Sequence, residues 1–464
     1  MQRISERDIS VKENTNLQFF QYMISNESFA TGEDMHQLIS RLYPICRSIT
    51  GNGVRESLRI IQEYLPLQQL EVPTGTKVFD WTIPNEWNIN DAYIKNSKGD
   101  RIIDFNQSNL HVLNYSIPVK GTFSLIELKK HLFTIPDKPH WIPYRTSYYE
   151  ENWGFCLSHH QLESMQDNNY EVCIDSTLEA GHLTYGEYFI PGQTEEECLF
   201  SCHICHPSLC NDNLSGIAIV LFLAKMLSTR KNRLSYRFLF IPGTIGAIAW
   251  LALNENKLSK IKSGLVATLL GDPSSFTYKK TRSGEEIIDK AVIHFLKFST
   301  DDYRLIDFSP YGYDERQFNS PGINLPIGSL TRSQYGQYPE YHTSADNLDL
   351  VTPVKLEASL KAYLTIANML DNNIIYINQY PKCEPQLGKR GLYQKIGGEC
   401  EEDKELRRMA MLWCLNLSDG KHSLLDIADR AAIPFDVVKQ VAVILEEHEL
   451  LIRLQTSDMK EGEN

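Results

Sequence analysis

SCHICHPSLCNDNLSG, residues 201–216, joins an apolar strand-like run, CLFSCHI (198–204), to a helix-like apolar run, SGIAIVLFLAKMLS (215–228). Within this loop lie His203, His206, Asn211, Asp212, Asn213 and three cysteines. Imidazole and carboxylate are good donors for Zn²⁺, and one carboxylate can bridge two ions. A polar loop whose histidines cap neighbouring backbone fits the same letters.

Around this loop the chain alternates strand and helix. YEVCID (170–175) and EYFIPG (187–192) read as strands. YRFLFIPG (236–243) is followed by a helix in GAIAWLALNEN (246–256), and further strands read in LVATLLGD (265–272) and INLPIGSL (323–330). VKLEASLKAYLTIANMLDNN (354–373) is a long helix. Apolar strands alternating with helices imply an α/β fold with a mostly parallel sheet and helices on both faces. In such sheets, loops at the carboxyl ends of the strands hold the site. Three further stretches fall in such loops: GDPSS (271–275) with Asp272, YGYDERQF (311–318) with Asp314 and Glu315, and QYPEYHTSADNLDLV (337–351) with His342 and Asp346. Each also reads as ordinary structure: an Asp-Pro turn, a salt-bridged loop, and a turn with a Thr or Ser helix cap.

The outer segments differ in character. Residues 1–32 are polar, and helical periodicity over 33–65 breaks at ITGNG (49–53). Over 71–135, short alternating runs such as KVFDWTI, DAYIK and RIIDF mark an inserted β-rich domain. That leaves 33–70 and 136–380 for the α/β domain, 381–398 as a linker and 399–464 as a helical module with a polar tail. In that module SDGKHSLLDIADRA (418–431), capped at Ser423, and FDVVKQVAVILEEHELLI (435–452) form a helix-turn-helix pattern. Its second helix carries Asp436, Glu446, Glu447 and Glu449 against Lys439. DNA phosphates would be repelled, so the module is predicted to pack against protein.

The four polar stretches, in this order, resemble those of co-catalytic zinc aminopeptidases. They are closer still to bacterial proteins that join an aminopeptidase-like domain to a C-terminal winged helix. Such proteins carry HICHPSxxNDNLSG, DERQF and YPEYHTSADNL, together with an insert like FDWTIPNEWNI (79–89). The resemblance covers residues ~33–455. It implies Zn²⁺, one ion or two, held by His203, Asp212, Asp272 and His342, with Asp346 and Asp314 orienting the ligands. His206 has no counterpart in the pattern, so it replaces a ligand or hydrogen-bonds beside one. The implied activity is amide hydrolysis of aminopeptidase type on a peptide-like or amide substrate, linked to surface-polysaccharide biosynthesis.

Aminopeptidases of this kind place two consecutive glutamates, a general base and a metal ligand, where this chain has Gly243 and Thr244. Glu315 is the substitute base nearest by motif, and Gly243→Glu would restore a carboxylate. A catalytically impaired metal- or ligand-binding scaffold is the alternative. A rival zinc site would use Cys198, Cys202, Cys205 and Cys210 with the two loop histidines.

Bulk properties narrow the setting. The net charge of −13 disfavours nonspecific binding to nucleic acid or anionic membranes. The apolar stretch Leu214–Leu227 is interrupted by Ser215, Gly216 and Lys225 and reads as too short to span a bilayer. MQRISERDISVKENTN at the start has no apolar core of a signal peptide, and ten cysteines suit free thiols. The expectation is a cytoplasmic protein, with a possible protein partner at the C-terminal module.

Overall fold

The computed structural model describes residues 31–300, 302–392 and 401–454. Most of the polar N-terminal segment, part of the expected linker and the C-terminal tail lie outside the described residues. Residues 31–289 with 302–363 form one compact unit. Residues 290–300, 364–392 and 401–454 form a second.

The first unit is built on an eight-stranded mixed sheet. In spatial order its strands are Gln68–Pro73, His182–Ile190, Ser235–Ile241, Glu197–His203, Ile261–Ala267, Ile327–Thr331, Phe276–Lys279 and Tyr303–Ile306. The four strands from Ser235–Ile241 to Ile327–Thr331 run parallel, and antiparallel pairs flank them. Glu197–His203 and Ser235–Ile241 are buried at every position, as a strand covered on both faces must be. Leu199 points to a core shared with Trp250 of helix Ile245–Leu253. Its neighbour Phe200 packs on the opposite face, stacking on Phe238 and meeting Tyr363 of helix Pro353–Asp371 with ring centroids 6.1 Å apart. The helical stretch Cys210–Ser228, its first six residues irregular, is long and apolar enough to cross a membrane, contrary to the length expectation, but its most apolar part is buried inside this fold, so it serves as a core helix.

The inserted β-rich domain is wider than 71–135. Its four-stranded antiparallel sheet has the order Arg101–Asp104, Glu86–Lys95, Asn169–Glu179, Val119–Ser124. YEVCID therefore belongs to the insert and not to the central sheet. Its alternating burial, one face solvated, is the physical difference from the fully buried central strands.

In the second unit, helices Glu401–Leu417, Leu424–Ala431 and Phe435–Glu447 surround a three-stranded sheet of Asp419–Ser423, Ile375–Asn378 and Leu451–Arg453. Ser423 caps its helix through a reciprocal capping box with Asp426. The module starts earlier than residue 399, because Ile375–Asn378 supplies the central strand that both others pair with.

One buried ion cluster locks the central strands together. Arg237 donates to both oxygens of Glu197, at 2.6 and 2.9 Å, and also to Glu187. Trp250 Nε1 donates to the second Glu187 oxygen at 2.9 Å. Removing one member of such a buried set leaves uncompensated charge, at a cost of about 3–5 kcal/mol. Arg237→Met should lower the unfolding free energy in urea by that amount, and a loss under about 1 kcal/mol would contradict the role assigned to the cluster.

Candidate metal centre

Strand Glu197–His203 delivers His203 at its carboxyl end, and the next residues form an irregular turn before helix Gly216–Ser228. The polar residues of NDNLSG hold this turn in place. Asn213 Nδ2 donates to Ala267 O at 3.1 Å and faces His203 Nδ1 at 3.2 Å. Asn211 Nδ2 donates to Asp272 at 2.8 Å, while Asn211 Oδ1 accepts from Gly271 N–H at 2.9 Å. Gly216 starts the helix because a Cβ there would lie 2.4 Å from Ala267 O.

This scaffold gathers three imidazoles around one carboxylate. Asp212 Oδ1 lies 2.8 Å from His203 Nε2, and Oδ2 lies 2.9 Å from His342 Nε2 and 3.9 Å from His206 Nε2. The donor atoms of His203, His206 and Asp212 lie within 4.8 Å of one another, and all three residues are buried. His342 reaches them from a separate loop, with φ at 52°. Asp346 fixes the turn from behind. Its oxygens accept the N–H of Asn211 at 2.6 Å and of Asp212 at 3.0 Å.

The electrostatics follow from burial. Burial holds His203 below the ordinary imidazole range and His206 well below it, in both cases against the pull of Asp212. Burial also works to raise the Asp212 carboxyl, but the surrounding imidazoles outweigh it and hold the group well below the usual range. Neutral imidazoles and an ionised carboxylate are the protonation states metal coordination requires. Three nitrogen donors and one oxygen donor are of the kind that Zn²⁺ takes. The residues present therefore fit the ion. Asp346 and Asp314, by contrast, are pushed up to about 7 by burial.

Other predicted site residues lie elsewhere. Asp272 is not brought to the imidazoles. Its oxygens accept from Asn211 Nδ2, Ser274 N–H, Ser333 N–H and the Ser333 hydroxyl. The strand before it ends at Ala267, so Asp272 sits well along the following loop. Glu315 is fully buried and cannot serve as an open base: its carboxylate lies 2.9 Å from Lys279 Nζ and accepts the Tyr313 N–H. Asp314 accepts the N–H of Thr244 at 2.7 Å and holds that residue at φ 65°. The cysteines do not gather, and no four-cysteine group forms among the described residues. Cys202 donates to Leu239 O, and only Cys205 approaches the centre, with Sγ 3.3 Å from His206 Nδ1.

Two tyrosines complete the centre. Tyr313 stacks on His203 with centroids 3.9 Å apart and planes at 14°, and its hydroxyl lies 2.9 Å from His206 Nε2. Tyr144 lies edge-on to His342 and tilted to His206, both at 5.1 Å. The only sequence signal for Tyr313 was its place beside Asp314, where the charged letters drew the reading.

Position 243 is closely surrounded. A Cβ on Gly243 would meet the Tyr313 ring at 3.3 Å, Cys205 Sγ at 3.4 Å and His203 Cβ at 3.5 Å. Gly243→Glu is thus an overpacking change and not a simple repair. It should lower stability by about 1–3 kcal/mol in urea unfolding, and an unchanged midpoint would show that the pocket yields freely.

Comparison with known proteins agrees with this architecture. Residues 36–373 match a family described as a domain of unknown function (DUF4910), and residues 374–453 match a winged helix-turn-helix family. A protein of Clostridium acetobutylicum, named in provisional terms as a polysaccharide biosynthesis protein with an aminopeptidase-like domain, is 54% identical over 428 residues. That alignment covers 92% of this chain and 98% of the relative. The crystal structure of a C. acetobutylicum protein, provisionally named a peptidase, matches at a TM-score of 0.88 and 51% identity, over 96% of this chain and all of that one. A zinc aminopeptidase of Bacillus subtilis matches at a TM-score of 0.53 and 14% identity, over 74% of this chain and 96% of that one, a likeness of fold alone. The chain therefore belongs to the DUF4910 family and carries an aminopeptidase-like α/β domain followed by a C-terminal winged helix.

Proposed function

We propose that this protein is a metal-dependent hydrolase of an amide bond, of aminopeptidase type, with one Zn²⁺ held by His203, His206, Asp212 and His342. The observation that carries this reading is the convergence of three imidazoles on the buried carboxylate of Asp212. With four protein donors, a bound zinc would need a fifth position in order to polarise a carbonyl oxygen and lower the pKa of water. The chain's own residues do the rest. Asp346 holds the Asp212 backbone, Asn213 orients the His203 ring, and Tyr144 lines the space beside His206 and His342. Hydrolysis adds the oxygen of water to the carbonyl carbon, breaks the C–N bond and passes one proton to the leaving nitrogen. The name of the C. acetobutylicum relative supports a role in polysaccharide biosynthesis, with an amide on a sugar as one substrate class.

A second reading, a metal- or ligand-binding scaffold without turnover, is favoured by one observation: neither Gly243 nor Thr244 offers a carboxylate, and Glu315 is committed to Lys279. In both readings the protein is cytoplasmic, and the winged helix serves protein contact, not nucleic acid. Support for the latter comes from within the second unit. Lys290 and His294 bind Asp426 and Asp429, and Phe435 N–H donates to His294 Nε2 at 3.1 Å. The last of these contacts occupies the first turn of helix Phe435–Glu447, the one that would enter a DNA groove, and the other two engage the helix before it.

Calorimetric titration of metal-free protein with Zn²⁺, followed by an aminoacyl-anilide assay, separates the readings. Tight uptake is expected in the wild type and loss of it in His203→Ala and His342→Ala, with folding checked by circular dichroism. Asp346→Asn should weaken zinc by about 10–100-fold. Metal with turnover supports the hydrolase, metal without turnover the metal-holding scaffold, and no uptake by the wild type overturns both of these and leaves only a scaffold for some other ligand.

A further inference from the structure

We propose that Tyr313 is a catalytic residue of this centre, its phenol hydroxyl donating a hydrogen bond to the substrate oxygen that gains negative charge as water adds. The proposal rests on the metal-dependent reading above. Three observations lead to it. First, the Tyr313 ring borders position 243, 3.3 Å from where a Cβ there would lie. The loop after strand Ser235–Ile241 thus contributes no functional group, and Tyr313 brings one to the same place from the loop before Glu315.

Second, the residue is held firmly. Its ring lies flat on His203, its backbone N–H is held by Glu315, and Glu315 is itself fixed by Lys279. The buried Lys279–Glu315 pair, which has no part in the metal set, thereby acquires a purpose: it sets the position of the Tyr313 backbone. A donor that is already in place gains most from a dry site, because nothing has to reorganise as charge develops.

Third, the hydroxyl's present partner is a ligand nitrogen. Tyr313 Oη lies 2.9 Å from His206 Nε2. An imidazole nitrogen has one lone pair. When it is given to a cation, that nitrogen can no longer accept a hydrogen bond from the phenol. The hydroxyl is then left beside the cation without its acceptor, and an oxygen of the substrate is the group that replaces it. The phenol keeps its proton throughout. It donates a hydrogen bond and undergoes no net transfer, so the atom balance of hydrolysis is unchanged.

The test uses full-length protein reconstituted with Zn²⁺ and acetohydroxamate as an anionic oxygen ligand, with both affinities measured by calorimetry. Tyr313→Phe keeps the ring on His203 and removes only the hydroxyl. The expected result is a zinc affinity within about threefold of wild type and an acetohydroxamate affinity at least about tenfold weaker, the usual weight of a hydrogen bond to a charged group. Where turnover is measured, kcat should fall by about 10²–10³-fold. Tyr313→Ala, which also removes the stack, should weaken zinc as well. Equal acetohydroxamate affinity in wild type and Tyr313→Phe, with zinc binding intact, would overturn the proposal alone. So would a zinc-loaded wild type that does not take acetohydroxamate. Failure of the wild type to bind zinc would instead overturn the metal reading on which the proposal stands.

Discussion

A carboxylate with no exposure to water is tolerable only if its charge is answered at close range, and Asp212 is such a group. Each of its oxygens faces an imidazole nitrogen at hydrogen-bond distance, and two backbone N–H groups, its own and that of Asn211, are tied to Asp346 directly behind it. The three imidazoles come from a strand end, from the loop after it and from a loop 130 residues further on. Those segments must meet for Asp212 to remain charged, so the folding of the parallel core and the chemistry of the centre depend on one electrostatic requirement.

The polar architecture around the centre serves this requirement in layers. Asn211, Asn213 and Ser215 take no part in the imidazole–carboxylate contacts except through the His203 ring. They tie the turn to the end of strand Ile261–Ala267 and the loop after it. Thr244 sits at positive φ, an unusual conformation for a β-branched residue that carries a cost of about 1–3 kcal/mol. Its N–H is held by Asp314 and its hydroxyl faces Arg316. The two loops that face the histidines are therefore locked to each other by DERQF, which places Tyr313.

Much of this was legible in the letters, and the misses have physical causes. Apolar runs with helix-like intervals gave the central strands and the α/β class, and His203, Asp212 and His342 stood out by residue type at strand ends. Periodicity marks a strand but not the sheet it joins, and only the half-solvated burial of Asn169–Glu179 assigns it to the insert. Asp272 lay close to a strand end in sequence, but the backbone turns after Ala267 and carries it to Ser333. Glu315 looked available because its partner, Lys279, comes from a strand 36 residues earlier. Tyr313 was passed over because an aromatic residue in a loop is usually packing. Here it is packing, on a histidine, with its hydroxyl at the edge of the packed ring beside His206.

In the proposed centre one cation would be held by imidazole nitrogen and the oxygen of Asp212, with no sulfur, although Cys205 lies next to His206. Zinc-edge X-ray absorption of the reconstituted protein addresses it directly. The account predicts a coordination shell of nitrogen and oxygen donors at about 2.0–2.2 Å with imidazole back-scattering, lost in His342→Ala. A sulfur contribution at about 2.3 Å, or a shell unchanged when His342 is removed, would contradict it.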